Sequence, residues 1–527
     1  MSQPQDLINL KIDDIDVSVP KGTTIIEAAK KIKQEIPHYC YHENLSIAGN
    51  CRMCQVEVEG APKLMIACHT QVQPNMIVRT EKTSDKVKKA QADTLELILI
   101  NHPLDCTVCD QSGHCKLQDY HYDYNAEESR FIEEKERKVK AEILGPDIIL
   151  DGERCIMCTR CIRFCDEITK TSELGMLNRG DRSVIAINKG KQLDNDLSGT
   201  VVDLCPVGAL THRKWRFNTR IWYTKEVDAI CTGCSTGCNV KVATRDRQVV
   251  MVKARNNQEV NKEWLCNEGR YGFNDRQPKA PLLDNLFEGQ PIENSEIIKK
   301  IASLKSKSSL VFIAPDLTVE DYFVINQFLL LFSPNSKVAI NYKSRELNEV
   351  QRVLVSPDYA ANYRGAEFIG LINDNPEKQY NEALVELKTN NYQNILFIGD
   401  RSIDLNDLNV NFIEISKFSN RLGFFSDSEH PLISKLQAVF CVKNVLQKRG
   451  LLINRNNRLQ YTNQIIDSEI KLTSEWSVFN EIAKSYGQKI VNATNDRDLT
   501  IEFLNSYDQL KSLKIKDIKK GQNLEAS

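Results

Sequence analysis

The rhythm of hydrophobic and polar residues changes several times along this chain, and each change predicts a different element. From 8 to 19, INLKIDDIDVSV alternates on either side of an Asp-Asp pair, the pattern of two half-buried strands joined by a tight turn. TTIIEAAKKIKQ then shifts to helical spacing, with Thr23 or Thr24 placed to cap a short helix. CQVEVEG alternates again and predicts a strand. SDKVKKAQADTLELILI (84–100) predicts an amphipathic helix, followed by a loop over 101–120. Residues 121–147 are dense in charge and predict a solvated helix or a strap. After 275 a linker-like stretch gives way to short apolar runs: SSLVFIAPD (308–316), KVAINY (337–342), NILFIGD (394–400) and NVNFIEIS (409–416). Buried strands alternating with helices predict a parallel sheet. Residues 440–527 predict a helical, polar tail with a frayed Lys-rich end.

Length and composition narrow the class. At 527 residues the chain can hold several domains, since single cores rarely grow past roughly 250–300 residues. It is 41% hydrophobic and 27% charged, with a formal net charge of −2, which argues against a nucleic-acid binder. The most apolar stretch, FVINQFLLLF (323–332), is interrupted by Asn326 and Gln327. It falls short of the roughly 18–20 residues a membrane span needs. MSQPQDLINL has neither a basic region nor an apolar core, so no signal peptide is expected and a reducing compartment is. There, many cysteines mean metal or redox chemistry and not structural disulfides.

The 17 cysteines are distributed unevenly: sixteen lie between Cys40 and Cys266, and only Cys441 lies beyond. Cys40, Cys51, Cys54 and Cys68 form a first set. The long first gap, with Gly49 of AGNCRMC just before the tight loop and a β-β-α order around it, points to a [2Fe–2S] centre in a β-grasp domain; zinc is the alternative. A second set holds Cys106, Cys109 and Cys115, one ligand short. His102, just before Pro103, stands where the fourth is needed, the alternative being a surface or capping histidine; His114 abuts Cys115 and is the poorer candidate. Cys155, Cys158 and Cys161, completed by Cys205 in DLCPVGA, carry a [4Fe–4S] ferredoxin pattern. Cys165 is expected to be a free buried thiol, because no second C-x2-C-x2 run precedes Cys205. Cys231, Cys234, Cys238 and Cys266, set among glycines in CTGCSTGC, read as another [4Fe–4S] site and not as a zinc ribbon, whose paired C-x2-C spacing they lack. Cys441 is expected to be a helix-buried thiol. No glycine-rich phosphate loop follows any predicted strand, and no nucleophile or acid–base pair stands out.

The stretches CYHENLSIAGNCRMCQVEVEG, NHPLDCTVCDQSGHCKLQD, DGERCIMCTRCIRFCDE and GTVVDLCPVGALT resemble the large iron–sulfur subunit of respiratory NADH:quinone oxidoreductase (complex I). That family is called the G subunit in bacteria and the 75 kDa subunit in mitochondria, and the resemblance covers residues 8–274. It implies a [2Fe–2S] cluster on the first set and [4Fe–4S] clusters on the second and third, with His102 a ligand. Residues 222–275 resemble the iron–sulfur domain of molybdopterin oxidoreductases such as formate dehydrogenase. This implies a third [4Fe–4S] cluster, off the main electron path, and a bacterial protein. Glu268 stands where such enzymes carry a lysine, and the stretch after Asn274 is short for the pterin-binding domains, so no molybdopterin is expected. ANYRGAEFIGL (361–371) and ISKFSNRLGFFSD (415–427) are faint echoes of the family.

The expected architecture is therefore a multidomain α+β and α/β chain. A [2Fe–2S] β-grasp ferredoxin (1–85) precedes a one-His, three-Cys module with a charged connector (86–147). A [4Fe–4S] ferredoxin-like module (148–221), an additional [4Fe–4S] domain (222–275) and a shortened, non-catalytic molybdopterin-oxidoreductase-like scaffold (276–527) follow. The resemblance implies an electron relay from a flavin- and NADH-binding subunit toward quinone-proximal cluster subunits. The relay would sit in a hetero-oligomer on the cytoplasmic face of the bacterial inner membrane and touch the membrane only through partners. A bidirectional hydrogenase subunit would end soon after the third set, and an iron-only hydrogenase would need more cysteines. A formate dehydrogenase would need pterin domains and a catalytic cysteine. A structural zinc protein is the non-redox alternative.

Overall fold

The computed structural model describes residues 7–124, 128–302, 308–389, 391–404, 406–407, 414–467, 472–519 and 521–524. The chain divides into two compact units, Met1–Thr224 and Lys225–Ser527.

In the first unit, β1 (Leu7–Ile12) and β2 (Ile15–Pro20) pair as a hairpin with Ile8 opposite Val19. Asp13 and Asp14 turn it at φ 47° and 66°, the left-handed pair whose twist matches that of the strands. Thr24 caps α1 (Ile25–Lys31): its hydroxyl accepts from the Glu27 N–H, and the Glu27 carboxylate accepts from the Thr24 N–H. Strands β3 (Gln55–Val58), β4 (Met65–Ile66) and β5 (Ile77–Arg79) complete a sheet of order β2-β1-β5-β3-β4, with β1 and β5 parallel. Ile25, Ile26, Ala28 and Ala29 of α1 pack on Ile8, Leu10, Ile12, Val56 and Val78, and Cys54 and Cys68 belong to the same core. This is the β-grasp arrangement that the alternation predicted.

Ser84 caps α2 (Asp85–Leu99), and Gln91 donates to the Gln55 carbonyl at 3.0 Å, pinning α2 to β3. The segment expected as loop through 120 instead enters α3 (Lys116–Tyr124) directly after Cys115. Its polar sequence KLQDYHYDY hides the helix, because only Leu117 and Tyr120, three apart, are buried. The first residues of the charged stretch, through Tyr124, complete α3, and its described remainder, 128–147, is a strap and not a helix. Lys135 Nζ donates to the Leu99 and Ile100 carbonyls at 3.1 and 2.6 Å, at the C-terminal end of α2 where the helix dipole favours a cation. The strap ends in β6 (Glu142–Ile143), which joins β7 (Ile148–Leu150). Next come α4 (Arg160–Arg163), the hairpin of β8 (Leu174–Leu177) and β9 (Val184–Ile187), α5 (Thr200–Leu204) and β10 (Leu210–His212). In the β10-β7-β6 sheet, β7 and β10 supply Leu150 and Leu210 to the wall around the third cysteine set.

The second unit opens with an antiparallel meander, β11 (Lys225–Ile230), β12 (Asn239–Arg245) and β13 (Gln248–Ala254), and the short α6 (Asn267–Tyr271). Five parallel strands follow: β14 (Ser309–Ile313), β15 (Lys337–Ile340), β16 (Asn394–Ile398), β17 (Asn420–Phe425) and β18 (Ala438–Cys441). The hairpin of Asn285–Phe287 and Gln290–Ile292 adds antiparallel strands beside β18. Val311, Ile313, Leu396, Ile398 and Phe424 point to one face, toward α7 (Val319–Phe332). Leu310, Phe312, Ile395, Phe397 and Phe425 point to the other, toward α8 (Pro376–Thr389).

Two expectations change here. Residues 409–413 of NVNFIEIS lie outside the described residues, and Glu414–Lys417 is a short 3-10 turn, with the strand starting at Asn420. The start of the supposed helical tail is strand: Cys441 ends β18, and Gly450–Ile453 and Arg458–Thr462 form a hairpin. Fully buried runs such as AVFC and GLLI have no polar face, so their periodicity does not distinguish strand from helix. Helices do follow, over Glu475–Ser485 and Asp496–Ser506.

Candidate metal centres

The first set sits where the β-grasp loop meets the sheet. Cys40 and Cys51 lie in the loop, Cys54 precedes β3, and Cys68 follows β4, where the Ala67 N–H donates to the Cys54 carbonyl at 2.8 Å. Gly49 at φ +62° and Arg52 at φ 59° bend the loop tightly. The thiols form two close pairs. A hydrogen bond from Cys51, together with the Cys51 and Asn50 N–H groups and Arg163, pulls Cys40 below the ordinary thiol range. A hydrogen bond from Cys54 does the same for Cys68.

In the second set Cys115 lies within electrostatic reach of Cys109 and Cys106. Cys109 and Cys115 are buried and Cys106 is exposed. His102 shares one neighbour with them, Arg154, which acts on both His102 and Cys109. Burial first, then Arg154 and Lys135, push the His102 imidazole down to about 4, so it is neutral near pH 7. Its Nδ1 is buried and meets no hydrogen-bond partner among the described residues.

The third set converges most plainly. Cys155, Cys158, Cys161 and Cys205 line one small cavity, walled by Leu150, Ile156, Ile185, Val207 and Leu210. Met157 (φ 53°) and Thr159 (φ 59°) coil the C-x2-C-x2-C run around it. Cys165 does not line this cavity; it lies in the wide turn Phe164–Ile168, and its thiol donates a hydrogen bond to the Glu173 carboxylate.

The fourth set, wholly in the second unit, lines a small cavity: Cys231, Cys234, Cys238 and Cys266, with Gly233, Gly237 and Gly269. Cys266 caps α6 by accepting from the Gly269 N–H at 3.2 Å. A Cβ on Gly269 would come within 3.2 Å of Cys266 Sγ and 3.3 Å of Cys231 Sγ, so the glycine keeps the cradle open. Glu268, at the lysine-like position, lines the same cavity and pairs at 2.8 Å with Arg345, which also lines it. Cys441 is remote in sequence and elsewhere engaged, its thiol donating to the Leu282 carbonyl at 2.9 Å.

Among the described residues, no three His, Cys, Asp or Glu side chains converge tightly enough to hold a single metal ion. The third and fourth sets instead each ring a cavity, an arrangement with room for a polynuclear cluster. Burial pushes Cys155 up to about 11 and Cys205 and Cys266 to about 12. Buried thiols facing one space without metal are costly as anions; a metal group deprotonates them outright and satisfies them.

The first three sets are joined by side chains the spacing did not reveal. Arg163 donates to the Cys40 carbonyl at 2.6 Å and to the Cys158 carbonyl at 3.2 Å, spanning the first and third sets. Asn50 donates to the Met157 carbonyl at 3.0 Å across the same seam. The loop after Cys205 abuts the second set: a Cβ on Gly208 would lie 2.1 Å from Cys109 Sγ. An arginine next to C-x2-C-x2-C was the available signal for Arg163; nothing in the local sequence pointed to Gly208 or Arg345.

Cysteine sets on successive small modules, two of them ringing cavities, are the pattern of a multidomain iron–sulfur protein, and comparison with known families shows that class. Family models match for a 2Fe-2S iron-sulfur cluster binding domain (residues 5–83) and the NADH-ubiquinone oxidoreductase-G iron-sulfur binding region (91–130). Others match the NADH-quinone oxidoreductase subunit 3 ferredoxin-like domain (145–211) and the molybdopterin oxidoreductase Fe4S4 domain (224–275). The NADH-ubiquinone oxidoreductase 75 kDa subunit of Reclinomonas americana is 31% identical over 508 residues, 90% of this chain and 71% of that one. The NADH-quinone oxidoreductase G subunit of Rickettsia bellii is 37% identical over 355 residues, 66% of this chain and 51% of that one. The chain belongs to this family, the large iron–sulfur (G or 75 kDa) subunits of NADH-quinone oxidoreductase. It spans about half the length of the rickettsial relatives it matches. A chain of an NAD+-reducing [NiFe]-hydrogenase in the H2-reduced state matches 41% of this chain and 91% of that one at 27% identity; its TM-score of 0.36 carries no argument about fold.

Proposed function

We propose that this chain is an electron-relay subunit of an NADH:quinone oxidoreductase, receiving electrons from a flavin-bearing partner and passing them toward quinone-proximal cluster subunits. In this reading Cys40, Cys51, Cys54 and Cys68 hold a [2Fe–2S] cluster. His102, Cys106, Cys109 and Cys115 hold one [4Fe–4S] cluster, Cys155, Cys158, Cys161 and Cys205 a second, and Cys231, Cys234, Cys238 and Cys266 a third. Bound there, the clusters supply one-electron acceptor and donor chemistry, and the chain supplies ligands, spacing and hydrogen bonds.

The observation that carries the reading is the pair of short bridges between ligand sets. Arg163 touches a backbone carbonyl of each of the first and third sets. The Cys205–Gly208 loop runs from the third set to Cys109 of the second. A relay needs neighbouring sites held at fixed, short separations, and these contacts support the order first, third, second. Neutral His102 in place of a thiolate removes one negative charge from its site, which raises the potential there. The fourth set is read as peripheral to this route. The parallel-sheet region after 275 is read as a shortened, non-catalytic scaffold without a pterin. No helix among the described residues is long and apolar enough to cross a membrane, in keeping with a peripheral place on the cytoplasmic side of a bacterial inner membrane, held there by partners.

The test is iron and acid-labile sulfide content with low-temperature EPR of the purified complex, and identification of the co-purifying subunits. One [2Fe–2S] and three [4Fe–4S] signals from this chain, beside a flavin-bearing subunit, are expected. A colourless, EPR-silent protein with stoichiometric zinc refutes the reading.

A further inference from the structure

Tyr39 precedes the first ligand of the first set and is buried without any exposed surface. Its hydroxyl is buried too, and meets no hydrogen-bond partner among the described residues. A buried hydroxyl left without a partner is destabilising, a cost that phenylalanine in the same pocket would avoid. The surroundings supply no ready acceptor. The Tyr39 ring packs on Tyr120, centroids 5.4 Å apart, whose hydroxyl is turned to Glu35, to which it donates at 2.9 Å, and no acceptor among the described residues meets the Tyr39 hydroxyl. After burial itself, the groups that act on the Tyr39 hydroxyl are Tyr120 first, then the thiols of Cys115, in the second set, and Cys51, in the first; Tyr120 stands on α3, the helix that begins directly after Cys115.

We propose that the Tyr39 hydroxyl donates a hydrogen bond to a sulfur of the [4Fe–4S] site formed by His102, Cys106, Cys109 and Cys115, and so raises that site's reduction potential. This rests on the reading above that the second set holds such a cluster. An O–H donor stabilises the more negative, reduced state over the oxidised one. Tyr39 thereby acts as a positioning residue: it leaves the ligand set unchanged and biases where the electron resides. The backbone ties this device to the neighbouring site, since the next residue, Cys40, belongs to the first set.

The test is an EPR redox titration of the assembled complex carrying Tyr39→Phe, following the [4Fe–4S] signal that shows nitrogen coupling from histidine. A fall of up to tenfold in its reduction equilibrium is expected, a midpoint lowered by up to about 59 mV for one electron. The [2Fe–2S] midpoint should stay in place. Tyr120→Phe, which removes a hydroxyl already bonded to Glu35, should leave both midpoints in place. In the unsubstituted complex, electron–nuclear double resonance should show an exchangeable proton coupled to the same centre, a readout that does not depend on the variant folding. An unchanged midpoint in Tyr39→Phe, a shift confined to the [2Fe–2S] centre, an equal shift in Tyr120→Phe, or the absence of that proton each overturns the proposal. If the unsubstituted complex has no nitrogen-coupled [4Fe–4S] signal, the cluster assignment itself fails, and this inference with it.

Discussion

Gly208→Ala separates a cysteine that merely lies in a loop from one bonded to a metal. The added Cβ would lie 2.1 Å from Cys109 Sγ and 3.1 Å from Gln111 Cβ. Ordinary contact between non-bonded heavy atoms is about 3.5–4.0 Å, so sulfur or backbone must retreat by roughly 1.5 Å. A free thiol has an easy escape, because one χ1 rotation removes the clash. A thiolate fixed by iron has none, and the strain passes to the bond or to the Cys205–Gly208 loop. Overpacking of this kind costs about 1–3 kcal/mol, and 2 kcal/mol is about thirtyfold in binding. In the assembled complex, Gly208→Ala should deplete the nitrogen-coupled [4Fe–4S] signal while the [2Fe–2S] signal persists, read by EPR with iron and sulfide counts. Full occupancy at an unchanged potential would refute the reasoning, because Cys109 could then not be held where the Gly208 backbone crowds it.

Arg163→Gln removes charged donors to the Cys40, Cys158 and Ser46 carbonyls. Such bonds contribute about 1.5–3 kcal/mol each, and partial rehydration leaves an expected loss of about 3 kcal/mol, measured by urea denaturation followed through the visible [2Fe–2S] absorption; an unchanged midpoint denies Arg163 its bridging role. His102→Ala should remove or convert one [4Fe–4S] centre and leave the [2Fe–2S] EPR signal; if every signal is retained, His102 is not a ligand. Cys266→Ala should remove a different [4Fe–4S] centre yet spare most NADH-to-quinone flux, whereas lost flux in an intact complex would put the fourth site on the main path. Glu320 is buried, accepts from the Leu451 N–H at 2.9 Å and from Thr500 at 2.6 Å, and burial raises its carboxyl from 4.5 to about 7. The folded chain thus keeps a proton that the unfolded chain releases between these values, so stability falls as pH rises through that window, by about 3 kcal/mol at most. Glu320→Gln should flatten that limb of the urea midpoint against pH, and equal slopes in the two proteins would show that Glu320 does not carry it.

Local rhythm alone carried the β-grasp hairpin and its capped helix, because alternation, the Asp-Asp turn and the Thr24–Glu27 box act within a few residues of one another. It also carried the grouping of the cysteines, since C-x2-C-x2-C sets three thiols within one turn of loop whatever surrounds them. The distant members were legible only as partners by count. The cavity walls show which thiols meet, with Cys205 inside and Cys165, four residues after Cys161, outside. His102 remains the member whose role spacing left open, and its buried, unpartnered Nδ1 is the structural sign that bears on it.

What only the tertiary structure decided has a common cause: it depends on residues far apart in the chain. AVFC became a strand because β17 and the Asn285–Phe287 hairpin flank it, a choice its all-apolar sequence does not encode. Arg163 reaches Cys40 across 123 positions, and Arg345 reaches Glu268 across 77. Gly208 presses on Cys109, and Tyr39 is buried within reach of Cys115. The cysteine spacing is a property of short backbone segments, so the sequence by itself determined how the thiols group into candidate sets. The hydrogen bonds, charges and close approaches between sites arise from packing, so the folded chain alone decided how those sites are joined and tuned.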